Sequence, residues 1–341
     1  MRDFNPGGTG MKNGNFIGLP FSYETANIIL LPVPWDVTVS FHDGTALAPT
    51  AVLNASVQLD LMDPDIDDAW KLGIFMIPVN DGILDERNHL RGKASDYIEK
   101  LERGESTDSP GSSVVDEINR KCADLNSFVR QESKKIVDAG KVCGIVGGDH
   151  SVPLGLIQAL GDFHQSFGVL QIDAHMDLRK NYQGFTWSHA SVFYNVLKEK
   201  AVTRLVQVGI RDYCEEEAGV VRNEKGRVIV FYDHDIKEKE FNGVLWREQC
   251  EAIINSLPDN VYISVDIDGL DPNLCPNTGT PVPGGIDFPA LNYLLKSVVD
   301  AGKKIIGFDL CETGNDDWDA NVAARIIYKL SNLSGRSHGL I

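Results

Sequence analysis

The stretch "FGVLQIDAHMD", Phe167 to Asp177, decides the fold. Its first half is a nearly continuous apolar run, and its second half is crowded with ionisable residues. Alternation of apolar and polar residues marks a strand with one wet face. A continuous run bounded by polar residues fits a strand covered on both faces, as in a parallel sheet between helical layers. Side chains on a strand repeat every two residues, so Asp173, His175 and Asp177 project to the same side where the run ends.

The pattern recurs on either side of this stretch. "KVCGIVGGDHS" (Lys141–Ser151) passes from apolar residues to Asp149 and His150. "VYISVDIDGLDP" (Val261–Pro272) does the same with Asp266 and Asp268, and "KIIGFDLCETGND" (Lys304–Asp316) with Glu312. Four further strands are expected at Asn27–Val33, Leu72–Val79, Arg204–Ile210 and Arg227–Tyr232.

Helical patterns alternate with these runs. The longest, "SSVVDEINRKCADLNSFVRQESKKIVDAG", opens on serines, carries apolar residues at helical spacing and stops at Gly140. Others are expected at Pro153–Leu160, His189–Lys198, Trp246–Ser256, Phe288–Ala301 and Asp319–Ser331. Strand and helix in alternation predict an α/β fold, a three-layer α/β/α domain around a central, mainly parallel eight-stranded sheet. One domain is expected over residues 1–341, with an N-terminal extension over 1–24 and a polar surface excursion over 88–112.

Bulk properties narrow the function. A formal net charge of −17 argues against nucleic acid or an anionic membrane as a partner. No apolar run approaches the length of a membrane span, and the Gly-rich polar N-terminus does not resemble a secretory leader. The six cysteines show no CxxC spacing, so they read as small buried hydrophobes in a reducing, cytoplasmic setting.

In open parallel sheets, ligands sit beyond the carboxyl ends of the strands, where this chain concentrates its acids and imidazoles. Four carboxylates (Asp173, Asp177, Asp266, Asp268) and two imidazoles (His150, His175) can converge there. Unpaired, the carboxylates would repel and take up protons. Two divalent cations neutralise them and lower the pKa of a shared water. Oxygen ligands with two imidazoles and no thiolate favour manganese, ahead of nickel, iron or zinc.

The blocks "GGDHS", "DAHMD" and "SVDIDGLDP" resemble the signatures of the ureohydrolase family, which includes arginase, agmatinase and formimidoylglutamase. The segment "PWDVTVSFHDGTALAPTAVLNAS" is similar to that family's early loop and helix. The resemblance covers roughly Ile28 to Tyr328 and implies the arginase/deacetylase-like fold. It also implies two Mn2+ per subunit, one held by His150, Asp173, Asp177 and Asp266, the other by Asp173, His175, Asp266 and Asp268. Asp173 and Asp266 would bridge, Asp177 would serve catalysis as well, and Asp149 would orient the loop or His150.

In "WSHAS", His189 matches the family's proton-shuttling histidine, although a helix-capping histidine would read the same way. Glu312 matches the carboxylate that takes the substrate's guanidinium in a bidentate fork. Asp212 matches a position near the substrate's far end in arginase-like members, which implies a substrate-binding role, and a surface salt bridge explains it nearly as well. Where arginase-like members carry polar readers of an α-amino acid, this chain has Arg179 and Cys214.

Agmatine is therefore the expected substrate: a small cationic guanidino compound hydrolysed to putrescine and urea. Arg179 also suits a substrate carboxylate, which keeps formimidoylglutamase, arginase and other guanidino hydrolases as alternatives. A binuclear metallophosphoesterase would need Asn ligands and a GNH loop, which are missing here. A non-catalytic paralogue would be expected to have lost a ligand. Homo-oligomers, trimers or hexamers, are what the resemblance implies.

Overall fold

The computed structural model describes residues 4–105 and 113–341. Among them, eight strands form one parallel sheet: β1 (Ile28–Val33), β2 (Ile74–Met76), β3 (Val142–Gly147), β4 (Phe167–Ile172), β5 (Val202–Ile210), β6 (Val228–Tyr232), β7 (Asn260–Asp266) and β8 (Lys304–Cys311). Their order across the sheet is β2-β1-β3-β8-β7-β4-β5-β6, and every pairing is parallel. β1, β3 and β4 are buried along their whole length, as their apolar runs require. The edge strands β2 and β6 are only partly buried.

Ten helices among the described residues cover the sheet. α1 (Ala48–Ser56), α10 (Asp317–Ser337), α9 (Phe288–Asp300) and α8 (Trp246–Asn255) pack in series. So do α2 (Asp81–Glu102), α3 (Ser113–Asp138), α4 (Leu154–Phe163) and α5 (Val192–Val196). Both α10 and α4 contact β8, which places a helical layer on each face. The short helices α6 (Glu215–Asn223) and α7 (Asp233–Phe241) complete the chain, α7 lying against β5 and β6. Among the described residues, no helix is long and apolar enough to cross a membrane.

Three expectations change in detail. The strand expected over Leu72–Val79 shrinks to three residues, because Gly73 takes a left-handed φ of 77° and Pro78 has no N–H to donate. Residues 88–102 of the expected excursion are the second half of α2, which buries Leu90, Ala94 and Ile98 along one stripe. Residues 106–112, with the Ser112 cap, lie outside the described residues. The helix expected from His189 is a single 3-10 turn, His189–Ser191, followed by α5.

The N-terminal segment packs into the domain. Asn15 is buried and mimics a neighbouring strand at the β2 edge. Its Oδ1 accepts from Met76 N at 2.9 Å, and its Nδ2 donates to Ile74 O at 3.0 Å.

Candidate metal centre

β3, β8, β7 and β4 are adjacent, so the ends of these four strands line up at one rim. After β3 the chain turns sharply through "GGDHS". Gly148 is required there because a Cβ would collide with the Trp35 carbonyl. Asp149 is buried and its Oδ1 accepts from the Ser151 amide (3.0 Å) and hydroxyl, so it shapes the loop; burial raises its pKa to about 7. His150 then enters the site.

His150 Nδ1 lies 2.9 Å from Asp173 Oδ2, 3.1 Å from Asp177 Oδ2 and 3.2 Å from Asp266 Oδ2. None of these contacts has hydrogen-bond geometry, and Nδ1 is buried. Donor atoms that crowd together without bonding to one another are what a cation site provides. His150 Nε2 is 3.0 Å from Ser264 Oγ, which fixes the ring and leaves Nδ1 facing the acids.

The second cluster joins Asp173, His175 and Asp268. His175 Nδ1 is 3.1 Å from Asp268 Oδ2 and 3.7 Å from Asp173 Oδ1. The two oxygens of Asp173 thus face the two clusters. Asp266 Oδ2 serves the His150 cluster, while its Oδ1 accepts from Asp268 N at 2.9 Å. Asp268 Oδ1 accepts from Ala174 N at 3.1 Å, tying β7 to β4.

Electrostatics match this crowding. Burial opposes charge on His150, but the carboxylates of Asp173, Asp177 and Asp266 outweigh it and hold the imidazole well above its ordinary pKa. His175 is raised too, with Asp268 overcoming burial. Burial and the neighbouring Asp173 push Asp177 up to about 7; burial with Asp268 and Asp173 raises Asp266 well above a normal carboxylate. Burial works against ionised Asp173, yet the contacts of His150 and His175 pull its pKa down. Positive charge placed among these groups relieves the conflict. The residues present fit two divalent ions.

Asp177 and Glu312 both adopt left-handed backbone, φ 53° and 60°, a cost that sites rather than scaffolds tend to carry. Glu312 follows β8 and is buried. Its Oε1 accepts from His150 N at 3.0 Å, whereas the buried Oε2 has no partner. Burial, then Asp266 and Asp149, raise its pKa well above the usual range.

A cleft of about 150 Å³ opens over the second cluster, lined by His175, Asp177, Arg179, His189, Asp212 and Glu217 among others. His189 keeps some surface but is packed closely enough that burial, with the imidazoles of His175 and His150, holds its pKa down to about 3. It is neutral at pH 7. Asp212 Oδ2 is 3.9 Å from His175 Nε2, so it faces the site rather than a surface cation. Arg179 stacks over Tyr182 at 4.9 Å and lies 3.9 Å from Glu217 Oε2. Asp271, ahead of Pro272, shapes a turn by accepting from Asn273 N at 2.8 Å.

A model of the arginase family matches residues 26–331. The chain belongs to the arginase family. It is 32% identical over 319 residues to an N(1)-aminopropylagmatine ureohydrolase of Thermus thermophilus, covering 93% of each protein. An agmatinase of Neisseria meningitidis is 26% identical over 342 residues, 95% of this chain and 94% of that one. In fold, the agmatine ureohydrolase of Thermoplasma volcanium superposes with a TM-score of 0.73 over 97% of each chain, at 22% identity. This arginase-family chain is a hydrolase of carbon–nitrogen bonds in linear amidino or guanidino groups.

Several residues of the centre escape motif reading. Gln171 donates to Asp173 Oδ2 at 2.7 Å and is itself held by Gln207 Nε2 at 2.7 Å. Glu217, buried and accepting from Leu178 N and Cys214 N, puts an acid in the cleft three residues beyond Cys214. The run "CEEE" is the one signal that could have raised it.

Proposed function

We propose that this protein is a binuclear manganese ureohydrolase whose substrate carries a guanidino group at one end and a cationic amine tail. Agmatine and its N(1)-aminopropyl derivative are the two candidates. The observation that supports this reading is the pair of His/Asp clusters sharing Asp173, beneath a cleft in which Asp177, Asp212 and Glu217 outnumber the one arginine. Arg179 is already turned toward Glu217 and Tyr182, which disfavours a substrate carboxylate.

In this reading His150, Asp173, Asp177 and Asp266 hold one ion, and Asp173, His175, Asp266 and Asp268 the other. Bound there, two divalent ions supply an acidified water and positive charge for the developing oxyanion. Glu312 accepts hydrogen bonds from the guanidinium and aims its central carbon. His189, neutral and with Nδ1 3.3 Å from Ser188 Oγ, relays a proton through Nε2 to the departing nitrogen. Asp212 and Glu217 receive the tail. Water and the guanidinium R–NH–C(NH2)2+ give urea and R–NH3+, which balances atoms and charge.

The test is a panel of agmatine, N(1)-aminopropylagmatine, arginine, formiminoglutamate, guanidinobutyrate and guanidine against manganese-loaded protein, scoring urea, formamide and ammonia. Urea from agmatine or its aminopropyl derivative, with Arg179→Ala leaving it intact, supports the proposal. Preference for an acidic substrate that Arg179→Ala abolishes refutes it.

We further propose a cytoplasmic homo-oligomer of three or six subunits. Free cysteines and the exposed Phe241 and Leu245 support this, and light scattering in solution tests the subunit number.

A further inference from the structure

We infer that Tyr213 is a specificity residue: its ring, on the wall of the cleft, takes the terminal ammonium of the substrate's tail in a cation–π contact. The inference rests on the cationic tail proposed above and names the side chain that reads it.

Two tyrosines, Tyr182 and Tyr213, line the cleft. Tyr182 already carries a cation, the Arg179 guanidinium 4.9 Å from its ring centre. Among the described residues, the side-chain cations that stack on rings lie over Trp70, Phe163, Tyr23, Tyr182 and Tyr194, which leaves Tyr213 without one. Tyr213 is 40% exposed, so ring surface remains open on the wall it forms. The negative face of an aromatic ring attracts an ammonium within about 6 Å of its centre.

The ring is held in place. It leans on Tyr232, with centres 5.2 Å apart, and Tyr232 lies 5.5 Å from the His234 ring. The backbone is fixed on both sides of it. Arg211 Nη2 donates to Asp268 O at 2.6 Å and to Val282 O at 3.0 Å, and Asp212 N donates to Ala174 O at 3.0 Å. Cys214 N donates to Glu217 Oε2 at 2.9 Å where α6 begins. Asp212 also bridges to the His175 backbone, so Tyr213 follows directly on a residue tied to the second metal cluster.

The neighbouring acids supply attraction, and the ring supplies the contact. The Asp212 side chain is 69% exposed, where water screens its charge. Both carboxylate oxygens of Glu217 already accept backbone N–H groups, from Leu178 and Cys214. Together they draw a cation into the cleft. A ring face then receives it without demanding hydrogen-bond geometry.

The experiment uses manganese-loaded protein and compares wild type with Tyr213→Leu. With the best cationic substrate of the panel, KM should rise about fivefold or more while kcat stays within about twofold. The calorimetric Kd of 1,4-diaminobutane should rise by a like factor. The inhibition constant of guanidinium chloride, which has no tail, should move less than about twofold, as should the KM of a substrate analogue whose terminal ammonium is replaced by methyl. Tyr213→Phe should restore the affinity lost in Tyr213→Leu, because the ring and not the hydroxyl makes the contact. Equal losses for the ammonium substrate and its methyl analogue, or a Tyr213→Phe enzyme as weak as Tyr213→Leu, overturn the inference.

Should Tyr213→Leu fail to fold, fluorinated phenylalanines placed at position 213 keep the shape of the ring while weakening its negative face. Diamine affinity that falls with each added fluorine supports the contact, and constant affinity refutes it. Wild type that hydrolyses no guanidino compound sinks the functional proposal and this inference together. An active enzyme whose KM is indifferent to Tyr213→Leu removes the ring contact alone.

Discussion

Ser264→Ala is the perturbation that probes how the protein, rather than the ions, builds the centre. Ser264 and His150 are both buried, and Ser264 Oγ lies 3.0 Å from His150 Nε2. The next acceptor, Asp309 Oδ1, is 3.8 Å from that nitrogen, too far to replace the hydroxyl without a shift of the ring. Removing the hydroxyl leaves a buried N–H unpaired, at a cost of about 1–3 kcal/mol. It also frees the imidazole to rotate away from Asp173, Asp177 and Asp266, and loss of such an orienting partner lowers metal affinity roughly 10–100-fold. Calorimetric titration with manganese reads the affinity, and thermal melting with and without chelator separates the two effects. The variant should fold, bind the ion of the His150 cluster more weakly, and keep the other site. Unchanged manganese affinity in a folded Ser264→Ala protein would refute the argument that this hydroxyl sets the ring.

Other consequences follow from the same geometry. His189→Ala should keep both ions while turnover falls about 10²–10⁴-fold, measured as urea release; a wild-type rate would remove His189 from the proton path. Manganese binding should be coupled to pH. In the ion-free protein Asp177 stands near 7, and His150, His175 and Asp266 are raised, so these groups hold protons below neutrality that the cation must displace. Affinity should therefore weaken from pH 8 to pH 6, about tenfold per unit for each proton released, and binding in weak buffer should acidify the solution. Gly148→Ala forces a methyl against the Trp35 carbonyl and should destabilise the fold by several kcal/mol, roughly the upper range for single substitutions, seen as a lowered Tm.

The sequence carried the chemistry of the centre more clearly than its support. His150, Asp173, His175, Asp177, Asp266 and Asp268 stand at or just past strand ends, and the blocks of acids and imidazoles that follow the apolar runs made that legible. The strand period of two does not itself align them, because β4 ends at Ile172, Asp177 is left-handed and Asp268 sits in a 3-10 turn. Their meeting depends on β8 and β7 lying between β3 and β4, which follows from the topology and not from any local pattern. Gln171, Gln207 and Ser264 were not legible because isolated polar residues inside apolar strands look like tolerated exceptions; only the pairing of β4 with β5 and β7 brings them to the ligands. The second half of α2 read as a surface excursion because its inward stripe is just Leu90, Ala94 and Ile98 among many charges. Glu217 was missed since it reaches the cleft from the first turn of α6, a helix that the sequence did not announce.

Crystals soaked in manganese, with anomalous scattering recorded at the metal edge, test the central claim most directly. The account predicts two peaks beside Asp173, one in contact with His150 and the other with His175. A single peak, or none at saturating manganese with all six side chains in place, would contradict it.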